Sequence, residues 1–301
     1  MKLLITGATG LVGKKLVALL LQQGHSVHYL STSKTKIQSL PNYKGFYWDI
    51  QQGEIDASCI DGVEVIVHLA GATIAKRWTK AYKKEIVESR VKSANLLYQL
   101  IKNGDHTVKQ FISASGTAIY PESFEKVFDE STVEQETSYL STVVQEWEAA
   151  VDQFNNYNIK VCKLRTGVVL DGKEGALPEM AKPIQMGVGA NMGNGKQMQS
   201  WIHIDDLVQI YSFAIQQQLA GVYNAVSPNP VSNAVLTKAI AKALHKWLFL
   251  PNIPRFMMDV LLGEMDYLLF SSKNLSADKI QKEGFVFQYP NIDTALENIY
   301  N

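Results

Sequence analysis

The chain has 301 residues, 46% of them hydrophobic and 19% charged, and its 29 Lys+Arg are balanced by 29 Asp+Glu. That length holds one large core or a main domain carrying a smaller one, and zero net charge leaves no basic excess for nucleic acid or an anionic membrane surface. Only Cys59 and Cys162 are present, far apart and without metal-ligand spacing, which argues against a disulfide framework or a zinc site and suits a reducing cytosol. No apolar stretch reaches membrane-spanning length, so the expectation is a soluble cytoplasmic protein without nucleic acid, membrane or metal as partner.

Lys2–Thr6 is a short apolar run that predicts a buried strand, and Leu11, Val12, Leu16, Val17 and Leu20 then recur at helical spacing. Ser26–Ser31 predicts a second strand, Phe46–Trp48 a third and Val63–Leu69 a fourth. A long helix follows from Ala81 to Lys102, then a strand over Val108–Ser113, a helix over Leu140–Phe154 and a strand over Ile159–Leu164. Residues 171–200 are rich in Gly, Met and Pro and read as a loop-rich excursion. Trp201–Ile215 resumes with a strand-like start and a helix, Val222–Val226 is a strand, and the rest is mostly helical: Val231–Leu244, Pro254–Phe270 and Ile292–Ile299. The pattern predicts an α/β chain with a Rossmann-type, doubly wound parallel sheet and a smaller, mostly helical C-terminal substrate domain. Residues 1–170 form the first domain, with 201–226 returning to it; 171–200 and 227–301 form the substrate and lid domain.

Between the first strand and first helix lies Thr6-Gly7-Ala8-Thr9-Gly10-Leu11-Val12-Gly13. One glycine permits a tight turn, another lets backbone approach a pyrophosphate, and a third lets helix and strand pack closely. The helix start then offers unpaired N–H groups to the phosphates, so Gly7, Thr9, Gly10, Leu11, Val12 and Gly13 are assigned to a nicotinamide dinucleotide. After the second strand come Ser31, Thr32, Ser33 and Lys34, hydroxyls and a cation without the carboxylate an NAD ribose usually meets. That loop favours NADP(H), with NAD(H) as the alternative. Asp49 is placed at the adenine edge, and Leu69, Ala70 and Gly71 where backbone passes the pyrophosphate and ribose.

The glycine loop, His68-Leu69-Ala70-Gly71 and Ser113-Ala114-Ser115 together resemble the extended short-chain dehydrogenase/reductases, the NAD-dependent epimerase/dehydratase superfamily. Arg77-Trp78-Thr79, Glu88-Ser89-Arg90-Val91, Leu164 to Leu170, Ser200 to Leu207, Leu262 to Met265 and Gly284 to Pro290 narrow the resemblance to its atypical, sugar-nucleotide epimerase-like branch. The resemblance implies a Rossmann domain, NADP(H) and a C-terminal substrate domain. The superfamily's chemistry uses a serine and a Tyr-x-x-x-Lys pair, in which the lysine one helical turn on lowers the tyrosine pKa from near ~10. Ser115 matches the serine and Tyr139 falls where the tyrosine belongs, but Val143 stands in the lysine's place. Tyr120 is the other candidate proton donor, with an aromatic cover for the sheet as its competing role. Arg77, Trp78 and His203 are candidate substrate contacts, against a surface arginine and a packed structural histidine. The glycine-rich segment 187–197 is a candidate lid, and these residues are expected around a cavity beyond the strand ends. The expected function is an NADP(H)-dependent oxidoreductase or epimerase-like enzyme with a non-standard active site, acting as monomer or homodimer on a small polar or nucleotide-linked substrate. The alternative is a non-catalytic NADPH-binding sensor or regulator.

Overall fold

In the computed structural model, which describes Met1–Tyr300, the opening apolar run forms β1 (Lys2–Thr6), buried at four of its five residues. Gly13, Leu16, Val17 and Leu20 are buried at i, i+3, i+4 and i+7, which turns one face of α1 (Leu11–Gln22) inward. The chain continues through β2 (Ser26–Ser31), β3 (Ser39–Leu40), β4 (Tyr43–Asp49), β5 (Glu54–Ile55) and β6 (Val65–His68). Next comes α2 (Lys80–Asn103), whose start is capped by the Thr79 hydroxyl accepting from Tyr82 N–H at 3.2 Å. β7 (Gln110–Gly116), α3 (Tyr139–Asp152) and β8 (Lys160–Thr166) follow. Beyond them lie β9 (Val168–Leu170), α4 (Ala176–Gln185), β10 (Met198–Gln199), β11 (Trp201–His203), α5 (Ile204–Gln216) and β12 (Gly221–Ala225). The last elements are β13 (Val231–Ser232), α6 (Asn233–Ala243), α7 (Arg255–Leu262), α8 (Tyr267–Phe270), α9 (Asp278–Lys282) and α10 (Ile292–Tyr300).

Nine strands make one sheet in the order β12-β8-β7-β6-β1-β2-β4-β3, with β5 paired to β4. β1 lies parallel to β2, with Leu3 opposite Val27, and parallel to β6, with Leu3 opposite Val65. β2 with β4 and β6 with β7 are parallel too, while the two-residue β3 and β5 run antiparallel to β4. The chain steps outward from β1 to β2 and β4, then returns to build β6 and β7 on the other side. The loops after β1 and β6 therefore open side by side at the switch point where such sheets bind ligands. This is the Rossmann-type architecture the sequence pattern predicts.

The chain divides into two compact units. The first comprises Met1–Ser115, Thr142–Leu164 and Val208–Val222; the second comprises Gly116–Ser141, Arg165–Leu207 and Tyr223 onward. The core of the first is built from Leu4, Ile66, Phe111, Trp147 and Phe154, among others, and that of the second from Leu177, Trp201, Leu236, Ile240 and Leu296. The division differs from the one read at residues 170 and 226. Gly116–Ser141 joins the second unit because its backbone is laddered there: Ser123 N–H donates to Ser272 O, Phe128 N–H to Asn274 O and Ser276 N–H to Phe128 O. Three local readings also change. Residues 171–200 contain α4, whose Leu177, Ala181 and Ile184 are buried. The run from Val231 opens as β13, paired antiparallel with β10, before α6 begins. The run over Pro254–Phe270 breaks at Gly263, where φ is +58°. Among the described residues no helix is long and apolar enough to cross a membrane.

Candidate functional site

In the first unit, the Thr6 hydroxyl at the end of β1 accepts from Leu69 N–H and Ala70 N–H, both at 3.0 Å, and so joins the two switch-point loops. Gly7 has φ +69°, and a Cβ there would stand 2.9 Å from Leu69 C, so a side chain is excluded by conformation and by space. A Cβ on Gly13 would come within 2.8 Å of Ala8 Cα, which fixes the close packing of α1 on its loop. Gly10 differs. A Cβ there would meet only Gly7 O, at 3.3 Å, and Thr9 beside it is exposed. Gly10 is the N-cap of α1, with no side-chain cap and no acidic residue in the first turn. Leu11 and Val12, half-buried, open that turn. A helix start left uncapped beside an open glycine, with positive partial charge and free N–H groups, fits a dinucleotide pyrophosphate.

At the end of β2, Ser33 N–H donates to the buried Ser31 hydroxyl at 3.1 Å, which shapes the turn. Thr32 and Lys34 are exposed, and Lys34 Nζ lies 4.7 Å above the Tyr47 ring. Asp49 closes β4 by accepting from Gln51 N–H and Gln52 N–H through Oδ1, at 2.9 and 3.1 Å. His68, just before Leu69-Ala70-Gly71, is fully buried and shares a 2.8 Å hydrogen bond with the Ser93 hydroxyl. Burial, with help from nearby Arg90, pushes its pKa down to about 3, so the ring is neutral and brings no charge to a phosphate. Gly71 is exposed and backed by Arg90, whose guanidinium donates to Ile86 O and stacks 5.1 Å from the Trp147 ring.

The candidate proton-transfer groups divide by environment. Ser115 is buried and its hydroxyl donates to Glu148 Oε1 at 2.6 Å. Glu148 in turn faces Lys163 at 3.6 Å, and Lys163 pairs with Asp152 at 2.7 Å. Sequence reasoning missed this chain, although α3 signals it: Val144, Trp147, Glu148 and Val151 share one buried face, so Glu148 is a carboxylate at a core position. Val143, where the superfamily has lysine, is buried as well, and Tyr139 is half-buried at the first position of α3.

Tyr120 lies in the second unit's interior. Its hydroxyl donates to Asn224 Oδ1 at 2.8 Å and accepts from Arg165 Nη1 at 3.0 Å. Burial pushes its pKa up to about 12. His203 also lies in the second unit. It is buried, its Nδ1 accepts from Asp205 N–H at 3.1 Å at the start of α5, and its ring lies 4.0 Å from that of Tyr289. Beside it, Asp206 accepts from Gln288 N–H and Tyr289 N–H. In the first unit, Arg77 is exposed, whereas the Trp78 indole donates to Ile74 O at 2.9 Å and braces its own loop. The second half of segment 187–197 is hydrogen-bonded to neighbouring backbone. Gly193 N–H donates to Ile253 O, Ile253 N–H to Asn191 O, and Gln197 Nε2 to both Met192 O and Leu269 O.

Comparison with known proteins agrees with the glycine cradle and sheet order. The NAD dependent epimerase/dehydratase family profile matches residues 3–226, and a domain of unknown function, DUF1731, matches residues 253–299. The chain is 32% identical over 305 residues to epimerase family protein SAR0825 of Staphylococcus aureus, covering 98% of each. It is 32% identical over 300 residues to epimerase family protein YfhF of Bacillus subtilis, covering 99% of this chain and 98% of that one. Among solved structures it is similar to the human epimerase family protein SDR39U1 with NADPH, at a TM-score of 0.87 and 27% identity over 100% of this chain and 99% of that one. A nucleoside-diphosphate sugar epimerase from Corynebacterium glutamicum gives a TM-score of 0.80 at 30% identity, covering 100% of this chain and 58% of the other. With the profile spanning both switch-point loops and the whole parallel sheet, the chain belongs to the NAD-dependent epimerase/dehydratase family.

Proposed function

We propose that the protein is an NADP(H)-dependent oxidoreductase or epimerase-type enzyme that acts on a small polar or nucleotide-linked substrate without a tyrosine–lysine pair. The observation that carries this reading is the uncapped start of α1 beside Gly10, reached from a β2 end without a carboxylate. In this reading the cofactor supplies hydride transfer to or from a substrate carbon. Gly7, Gly10 and the first turn of α1 hold the pyrophosphate, while Thr32 and Lys34 favour a 2′-phosphate over a bare hydroxyl. Arg77, exposed after β6, is available to an anionic substrate group. The similarity to a structure holding NADPH supports the cofactor choice. Two buried cysteines that form no disulfide suit a reducing, cytoplasmic setting.

Ser115 is committed to Glu148 and Tyr120 to Asn224 and Arg165, and Tyr139 has Val143 rather than a lysine one helical turn on. That favours a second reading, in which the protein binds NADPH as a sensor or regulator and turns nothing over. Challenging NADPH- and NADP⁺-loaded protein with pools of nucleotide sugars and small polar carbonyl compounds separates the two. Substrate-dependent change in the reduced nicotinamide signal, or a rearranged product with the cofactor regenerated, is the enzyme's result. Tight cofactor binding with neither supports the sensor. If activity is found, Tyr139→Phe is expected to lower it far less than the ~100- to 10,000-fold of a true general acid or base. A loss in that range would mean another group activates Tyr139.

A further inference from the structure

On one face of the first unit's sheet, the strands open on polar residues before they turn apolar. Paired residues share a face, so the register sets Lys2 beside Ser26, and His28 beside Lys44 and Ser39. Both sets lie on the same face, because Leu4, two residues on from Lys2, is opposite His28. Leu4, Leu30 and Phe46 carry that face onward into the core. Strands of a parallel sheet are normally apolar along their whole length, so a polar row at their start is a departure that needs a cause. Lys2, Ser26, His28, Ser39 and Lys44 line one cavity of about 240 Å³. It opens at the N-terminal ends of the strands, a strand's length from the glycine cradle at their C-terminal ends.

The charges in this cavity are of one sign. Among the described residues no Asp or Glu lines it, and neither Lys2 nor Lys44 is paired with a carboxylate. Lys2 Nζ donates to Asp61 O, a backbone carbonyl, at 2.8 Å, and Lys44 Nζ lies 4.8 Å from the centre of the Phe46 ring. His28 shares a 2.7 Å hydrogen bond with Cys59 O, so its Nδ1 carries the proton and Nε2 is the nitrogen that titrates. The wall is fixed: the Ser26 hydroxyl donates to Asn42 Oδ1 at 3.0 Å, and Val27 N–H to Asn42 O at 2.7 Å.

We propose that this cavity binds a phosphoryl group, held by the Lys2 and Lys44 ammoniums, the His28 ring and the Ser26 and Ser39 hydroxyls, at a site separate from the dinucleotide cradle. Lysines act on phosphate as compact point charges, and two of them facing one small space attract a dianion. The volume falls below the roughly 300–1,000 Å³ of sites that enclose a drug-sized ligand, so it suits a head group rather than a dinucleotide. His28 couples the site to pH. Burial first, then Lys2 and Lys44, hold its pKa below the ordinary 6.5, against the Cys59 carbonyl and Asp61, which raise it. A bound dianion offsets the two ammoniums and favours the imidazolium. Binding therefore takes up a proton, and by linkage tightens as pH falls through the His28 titration.

The test follows the His28 imidazole by NMR in the full chain carrying Gly10→Asp, which removes the dinucleotide cradle from competition. Sulfate is the first probe, because its charge stays constant while His28 titrates. Saturating sulfate should raise the His28 pKa by about one unit, which makes sulfate bind about 10-fold more tightly below the titration than above it. Lys44→Gln, on an exposed side chain, should melt like the parent and weaken sulfate by about 10-fold. Lys2→Gln should act in the same direction. Inorganic phosphate binding more tightly than glycerol phosphate assigns the site to the free ion; glycerol phosphate binding at least as tightly assigns it to a phosphorylated metabolite. A His28 pKa unmoved by sulfate, a shift that acetate or chloride matches at equal ionic strength, or affinity unchanged in both lysine variants overturns the proposal.

Discussion

The three glycines of the opening loop do different work, and substitution separates their roles. Gly13 has no room, so Gly13→Ala should cost about 1–3 kcal/mol of stability, read by chemical denaturation. Gly10 has room but stands at the helix start. Gly10→Asp should leave stability nearly intact yet abolish nucleotide binding, by placing negative charge where the pyrophosphate belongs. Equal effects of the two on melting would show that Gly10 is structural. His68 gives a prediction in pH. The unfolded chain takes up a proton on it near 6.5, the folded chain only near 3, so protonation favours unfolding. Stability from this group is complete above 6.5 and is lost as pH falls toward 3, by about 2 kcal/mol at about pH 5. His68→Gln should be less stable at neutral pH but show a shallower acid limb. An unchanged acid limb would assign the proton uptake to other groups.

Secondary structure shows why some features were legible in sequence and others were not. β1 and β2 are short, largely buried runs and α1 carries clear period-3.6 burial, and their predicted bounds agree with the structure to within a residue. α4 was hidden by Pro178 and Pro183 and by flanking glycines, although Leu177, Ala181 and Ile184 keep the helical period. Two-residue strands such as β10 and β13 have too few positions to show any period. The glycine cradle was readable because its residues are contiguous. The Ser115–Glu148–Lys163 chain and the Tyr120–Asn224–Arg165 cluster were not, because each joins elements distant in sequence. α3 also shows why the missing lysine is no simple loss. Val143 lies in the packed face of that helix, so Val143→Lys should destabilise the protein by at least about 2 kcal/mol rather than restore a dyad. A stable, more active Val143→Lys variant would show that the position opens toward the reacting groups.

At the largest scale, one topological feature positions the dinucleotide site. The order in which strands are added reverses between β1 and β6, which run parallel, and the two loops that open there are stitched together through Thr6. Family membership, the glycine cradle and the absence of a carboxylate after β2 all bear on that one place. The hydroxyls expected to carry acid–base chemistry are largely used in packing, so binding of the dinucleotide is the firmest functional consequence of the fold. Calorimetric titration of the full chain with NADPH and with NADH, in parallel with Gly10→Asp, tests it most directly. The parent should bind both saturably, NADPH the tighter, and Gly10→Asp should bind neither. NADH binding as tightly as NADPH, or binding undiminished by Gly10→Asp, would contradict it.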